Sequence, residues 1–259
     1  MSDVRRLAIA GLWSLALTGC GGAPLDAVGL PPIDLAEGLV AHFAFDEGAG
    51  TVAKDTSGNG HDGQLALTTV TWIEDGHFAG GLRLDRGDSI AVHGLPAPTP
   101  SFTIAIWVRL SAEQLAMDDG TWVAIAGTEV FGAGGWQLNI DNRLPQARFD
   151  FAYWSAPLMD YLFVECECVQ TARWMHLAAV VDVEANLVTL YKDGSVGDQE
   201  TRPSDISAGD STLYVGRWNM NGRQLSGDLD DLAIWNRALS ASEIAALMAR
   251  SLPPASGTP

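Results

Sequence analysis

From Leu39 to Asn236 apolar and polar positions alternate with a period of two. LVAHFAF sets Leu39, Ala41, Phe43 and Phe45 on one side. FTIAIWVRL sets Phe102, Ile104, Ile106, Val108 and Leu110 on one side, with Thr103, Ala105, Trp107 and Arg109 opposite. WQLNI, RFDFAY, HLAAVVD, LVTLY and LYVG repeat the habit, separated by Gly, Asp and Asn clusters. Alternation of this kind predicts half-buried antiparallel strands, because successive side chains of a strand point to opposite faces. Roughly a dozen such strands pack most economically as an all-β, two-sheet sandwich. Lys192-Asp193-Gly194-Ser195 after LVTLY predicts a tight hairpin, since Asp-Gly accepts the positive φ angles of a type I′ turn. Ser111 to Gly120 reads as a polar loop, and no internal repeat is visible. One short helix closes the chain. Ser240 and Glu243 form a capping box, Leu239 and Ile244 a staple, and Ile244, Leu247 and Met248 an apolar stripe.

The amino terminus departs from this pattern. Arg5 and Arg6 precede an uncharged apolar stretch, Leu7 to Leu17, too short to span a bilayer but suited to a signal peptide. It ends at Leu17-Thr18-Gly19-Cys20, which resembles the bacterial lipobox; the resemblance implies cleavage after residue 19 and a lipid on Cys20. An ordinary secretory signal and a start-anchor helix are the other readings. Residues 20–37, rich in Gly, Pro and Ala, read as a flexible tether, residues 38–250 as the domain, and 251–259 as a disordered tail. Gly21 after the Cys favours, by resemblance, the outer membrane, with the domain periplasmic or surface-exposed.

Charge narrows the partners. Lys and Arg number 15 against 32 Asp and Glu, a net charge of −17. A chain this acidic repels phosphate backbones, so nucleic acid is excluded as a partner, while a cation such as calcium is well tolerated. With 47% hydrophobic and 18% charged residues, a disordered acidic chain is excluded as well.

Several segments together resemble the laminin G-like (concanavalin A-like) jelly-roll domains of bacterial surface proteins. GLVAHFAFDEGAGTVAKDTSGNGHDGQL matches the family's opening; PSFTIAIWVRL, ARWMHLAAVVD, LVTLYKDG and GDLDDLAIWNRALSASEI match later strands. The resemblance covers about residues 38–249 and implies a jelly-roll sandwich, a fold that hosts lectins, adhesins and enzymes alike. It also implies one structural calcium ion, held by Asp55, the Asn59 and His61 carbonyls and a carboxylate of Asp230 or Asp231. Strand parity favours Asp230, which shares a face with Leu232 and Ile234, the side expected to point to the core. The alternative is a loop held by Asx turns, with Asp230 bonded to backbone amides. An EF-hand is excluded, because its twelfth position falls on Ala66.

Cys166 and Cys168 lie two residues apart, near the upper limit of reach for a disulfide on a regular strand. A local bridge, a metal pair and free thiols are the readings in that order. Trp107, Trp136 and Trp235 sit in alternating strands and read as packing residues. Trp154 and Trp218 sit in turn-like contexts and are the candidates for stacking on a sugar. No nucleophile elbow, phosphate loop or His-Glu-x-x-His occurs, and Glu165-Cys166-Glu167 lacks the rest of a glucanase carboxylate strand. The sequence therefore points to a non-catalytic surface module for a glycan or protein ligand. An envelope-interaction protein without sugar affinity and a glycan-active enzyme of the same fold are the alternatives.

Overall fold

The computed structural model describes residues 33–66, 70–116, 122–130, 133–142, 147–155, 157–167, 169–201, 206, 209–219 and 222–255. The leader, the lipobox with Cys20, and Cys168 lie outside the described residues. Among the described residues, no helix is long and apolar enough to cross a membrane.

Two eight-stranded antiparallel sheets form the body. Sheet A runs β14 (Ser195–Thr201), β13 (Leu187–Lys192), β12 (Trp174–Asp182), β7 (Phe102–Leu110), β16 (Gly227–Trp235), β5 (Gly81–Leu84) and β4 (Thr71–Ile73), with β1 (Leu39–Phe43) also paired to β16. Sheet B runs β11 (Asp160–Cys166), β10 (Arg148–Ser155), β9 (Trp136–Asp141), β8 (Trp122–Gly127), β15 (Leu213–Val215), β6 (Ile90–Val92), β3 (Gly63–Leu65) and β2 (Val52–Ala53). The expected all-β jelly-roll sandwich is what the chain forms.

The predicted alternation sorts the core. Ile104, Ile106, Val108 and Leu110 of β7 enter the main core together with Leu138, Ile140, Phe149, Phe151 and Val164 of sheet B. Each such side chain stabilises the fold by roughly 1.5–3 kcal/mol through loss of apolar surface to water. The opposite side of β7 carries Ala105 and Trp107, both buried on the outer face of sheet A. Part of that face is covered by α2 (Ala241–Leu247), whose Ile244 and Leu247 join Leu239, Trp235 and Tyr191 in a second apolar cluster. The capping box forms as read, Ser240 accepting from the Glu243 amide and Glu243 reaching back to Ser240 N. Asp193 and Gly194 take φ values of 47° and 75°, the pair of positive angles that the turn between β13 and β14 requires.

Four expectations are corrected. Ser111 to Gly120 is not wholly loop: Ala112–Ala116 form a short helix, α1, started by Ser111 Oγ accepting from Gln114 N at 3.0 Å. The tether ends earlier than residue 37, because Leu35 is buried and its carbonyl accepts from Trp235 Nε1 at 2.8 Å. The tail is docked through residue 255: Leu252 is buried, Ser251 Oγ donates to Asp231 Oδ1 at 2.6 Å, and Ala255 N donates to Thr56 O at 2.9 Å. The parity assumed for Asp230 fails at a β-bulge in β16, where Asp231 adopts φ 52° and the pairing with β7 shifts. The extra residue leaves Leu229 and Leu232 both in the core and turns Asp230 to the outer face, opposite Trp107 of β7.

Candidate functional site

The outer face of sheet B carries an unusual set of side chains for a strand surface. Where Trp136, Leu138 and Ile140 of β9 point to the core, Gln137, Asn139 and Asp141 point away from it; Arg148, Asp150, Ala152 and Trp154 of β10 and Tyr161, Phe163 and Glu165 of β11 do the same. Strand register sets these in rows. Gln137, Ala152 and Phe163 lie side by side, as do Asn139, Asp150 and Glu165, and Trp154 faces Tyr161. Trp122 of β8 and Phe163 of β11 stack with centroids 5.8 Å apart and planes 9° apart, so their rings reach across the two intervening strands. Beneath this span Asn139 is 2% exposed and Asp150 fully buried.

A cavity of about 320 Å³ opens here, lined by Trp122, Trp154, Tyr161 and Phe163 and by Glu129, Gln137, Asn139 and Arg223. That volume lies at the lower end of the range for small-ligand sites. Trp154 and Tyr161 meet edge to face with centroids 4.9 Å apart. The Tyr161 hydroxyl donates to Glu129 Oε1. Burial pushes the Glu129 carboxyl above the usual carboxylate range, opposed by the Tyr161 hydroxyl and by the charge of Arg223. The Arg223 guanidinium lies 4.3 Å from the Trp218 ring centroid and 5.1 Å from that of Trp122. Asn139 Nδ2 donates to Asp150 Oδ1 at 2.9 Å, which fixes the orientation of the amide and leaves Asn139 Oδ1 buried without a donor. A buried acceptor in that state is costly unless a ligand or water supplies the donor.

Both stacking candidates border this cluster, Trp154 directly and Trp218 through Arg223. Trp154 does so from within β10 and not from a turn. Sequence reasoning missed Trp122, Tyr161, Phe163, Glu129, Asn139 and Arg223. One signal was available: Ala152, Trp154, Tyr161 and Phe163, at outward positions of RFDFAYWS and DYLFVEC, are aromatic or small where a watered face would carry charge.

Several groups around the implied calcium site bond within the protein. Asp55 Oδ1 accepts from His42 N at 3.1 Å and Ser57 N at 2.9 Å, and Oδ2 accepts from His61 N at 2.9 Å. Asn59 Nδ2 donates to the Leu39 and Val40 carbonyls at 3.0 and 2.9 Å. Asp230 Oδ2 accepts from His77 N at 2.7 Å and Phe78 N at 3.0 Å, in a different turn. Asp231 Oδ1 faces His42 Nε2 at 2.7 Å. The Asp55 bonds are those of the Asx-turn alternative, and among the described residues no group of three or more His, Cys, Asp or Glu is placed to hold a metal. Cys166 is disulfide-bonded; Cys168, its expected partner, lies outside the described residues.

A larger cleft of about 520 Å³ lies at the rim of sheet A. Its two arginines are already matched: Arg83 Nε and Arg109 Nε both donate to Asp228, at 2.6 and 2.7 Å, and Arg109 Nη2 donates to Asp75 at 3.0 Å. It offers a ligand little unsatisfied chemistry, and the aromatic cleft on sheet B is the better candidate.

Known proteins agree with the architecture. No curated protein matches the chain in sequence. Among solved structures, the receptor binding domain of botulinum neurotoxin D superposes with a TM-score of 0.64 at 16% identity, covering 83% of this chain and 53% of that one. The binding domain of Paraclostridial Mosquitocidal Protein 1 gives 0.65 at 19%, covering 83% and 52%. The chain thus spans about half the length of these toxin domains. Domain 4 of AbnA, an extracellular arabinanase of Geobacillus stearothermophilus solved in complex with arabinotriose, gives 0.62 at 22%, covering 81% of this chain and 98% of that one. The family model Laminin_G_3 matches residues 84–245, more than half of the sequence. With its two jelly-roll sheets and this match, the chain belongs to the concanavalin A-like lectin/glucanases superfamily.

Proposed function

We propose that the protein is a non-catalytic binding module that takes a saccharide in the aromatic cleft on sheet B. The observation that carries this reading is the pairing, in one cavity, of ring walls from Trp154 and Tyr161 with a buried acceptor, Asn139 Oδ1, that lacks a donor. A sugar offers what both need, an apolar ring face and hydroxyl donors. The arabinotriose bound to the AbnA domain supports a saccharide on this fold. Glu129, the carboxyl buried in the cleft, is held by the Tyr161 hydroxyl, which favours a binding role over proton transfer. The test is a glycan screen with purified protein: binding reduced tenfold or more by Trp154→Ala supports the reading, roughly 1.4 kcal/mol or more. Release of reducing ends from a bound polysaccharide, abolished by Glu129→Gln, overturns the non-catalytic assignment.

A protein ligand is the second reading, favoured by the turn between β10 and β11, where Leu158 and Met159 are 54% and 79% exposed beside the cleft. Leu158→Ser with Met159→Ser should then abolish partner capture. We further propose that Cys20 carries the lipid that anchors the module at the outer membrane. Fatty-acid labelling lost in Cys20→Ala is the expected result, and labelling unaffected by that change overturns it.

A further inference from the structure

Acceptors gather in the cleft. Asn139 Oδ1 has no partner, Glu129 and Asp160 line the cavity with carboxylates, and Asp150 lies beneath its floor. A carboxylate accepts only, whereas a protonated amine supplies three donors and a positive charge.

One cation already sits inside. Arg223 adopts φ 50°, an uncommon angle for a side-chain-bearing residue, and its carbonyl is fixed by Ala124 N at 2.8 Å. Its guanidinium lies over two indoles, Trp122 and Trp218. Its hydrogen bond is long, Nη1 to Gln137 Oε1 at 3.5 Å. Aromatic walls with an acidic neighbour recognise cations generally, through the negative face of the ring and Coulomb attraction. Arg223 is thus held by rings and by the nearby charge of Glu129 rather than by a two-pronged carboxylate pair, the arrangement that would make it hard to displace.

Resting on the saccharide reading above, we propose that the ligand is a glycan bearing free amino groups and that Arg223 occupies the place of its ammonium. On binding, the sugar stacks on Trp154 and Tyr161, its ammonium enters between Trp122 and Trp218 near Glu129, and the Arg223 side chain swings out to solvent. A glycan of uronic acids would bring its carboxylates against Glu129 and Asp160, with Arg223 as the cation of the lining.

The experiment is calorimetry on the whole protein with four oligosaccharides of matched length: glucosamine, N-acetylglucosamine, cello- and galacturonate oligomers. The glucosamine oligomer is expected to bind at least about tenfold tighter than its N-acetylated form at low salt, with the gap narrowing as ionic strength rises. Arg223→Gln removes the resident competitor and should tighten glucosamine binding about fivefold to tenfold. Trp154→Ala should weaken it by a similar factor, which separates the cleft from general attraction to an acidic surface. Equal or tighter binding of the N-acetylated or cello-oligomer overturns the amine assignment and leaves the saccharide reading standing. So does galacturonate binding that is lost in Arg223→Gln. Glucosamine binding indifferent to Trp154→Ala overturns it as well. If none of the four binds, the saccharide reading falls with it. Should Arg223→Gln fail to fold, the comparison of acetylated and free oligomer decides alone.

Discussion

Around Trp107 single side chains decide how stability follows pH. His77 stacks on its ring with centroids 3.4 Å apart, and His176 lies 5.1 Å away on its other neighbours' side of the strand. Burial lowers the His176 imidazole to about 4, so between pH 4 and 6.5 the unfolded chain binds a proton that the native state does not. This group therefore loses stability as pH falls. Asp230 acts in the reverse sense. Burial, aided by the charge of Asp231, raises its carboxyl to about 7, so between roughly pH 4 and 7 the native state holds a proton that the unfolded chain has released. Its contribution is present in acid and lost as pH rises. The two slopes oppose each other across one window, and urea unfolding of the wild type should change little with pH there. Asp230→Asn keeps an acceptor for the His77 and Phe78 amides but removes one slope; its stability should rise with pH between 4 and 6.5, and a flat profile would refute the assignment. In the cleft, Tyr161→Phe withdraws the hydroxyl from a buried carboxyl and should weaken ligand binding several-fold, since an unsatisfied acceptor costs about 1–3 kcal/mol.

Among the elements, α2 is held to the fold by its cap and its stripe. Ser240→Ala deletes the acceptor of the Glu243 amide and should cost about 1 kcal/mol, lowering the thermal midpoint by roughly 2–4 °C. This helix, the alternating face of β7 and the Asp193-Gly194 turn were legible in the sequence, because each depends on residues within one turn or one strand. Trp154 was legible as a contact residue but not as part of β10. The site as a whole was not legible. Trp122 and Phe163 stand far apart in the chain, and their rings meet because β8, β9, β10 and β11 lie in that spatial order. Periodicity of two tells which side chains share a face; it does not tell what crosses above that face. The bulge at Asp231 was hidden for a related reason, since one inserted residue reverses parity without altering composition.

For the whole molecule, the carboxylates of Asp55 and Asp230 already accept from backbone amides. Thermal unfolding is therefore expected to be the same with and without a chelator, whereas a lowered midpoint with chelator would reveal an ion bound to the native state. The acidic balance acts at this scale too. A net charge of −17 draws a cationic ligand toward the protein from beyond contact distance, so its association rate should fall steeply with added salt.

Leu35, Trp235 and Leu252 pack together on the outer face of sheet A, while the aromatic cleft opens on the outer face of sheet B. Both described ends of the chain are consequently fastened to the back of the sandwich. The thickness of the two sheets therefore separates both described ends from the aromatic cleft, and neither end lines its mouth.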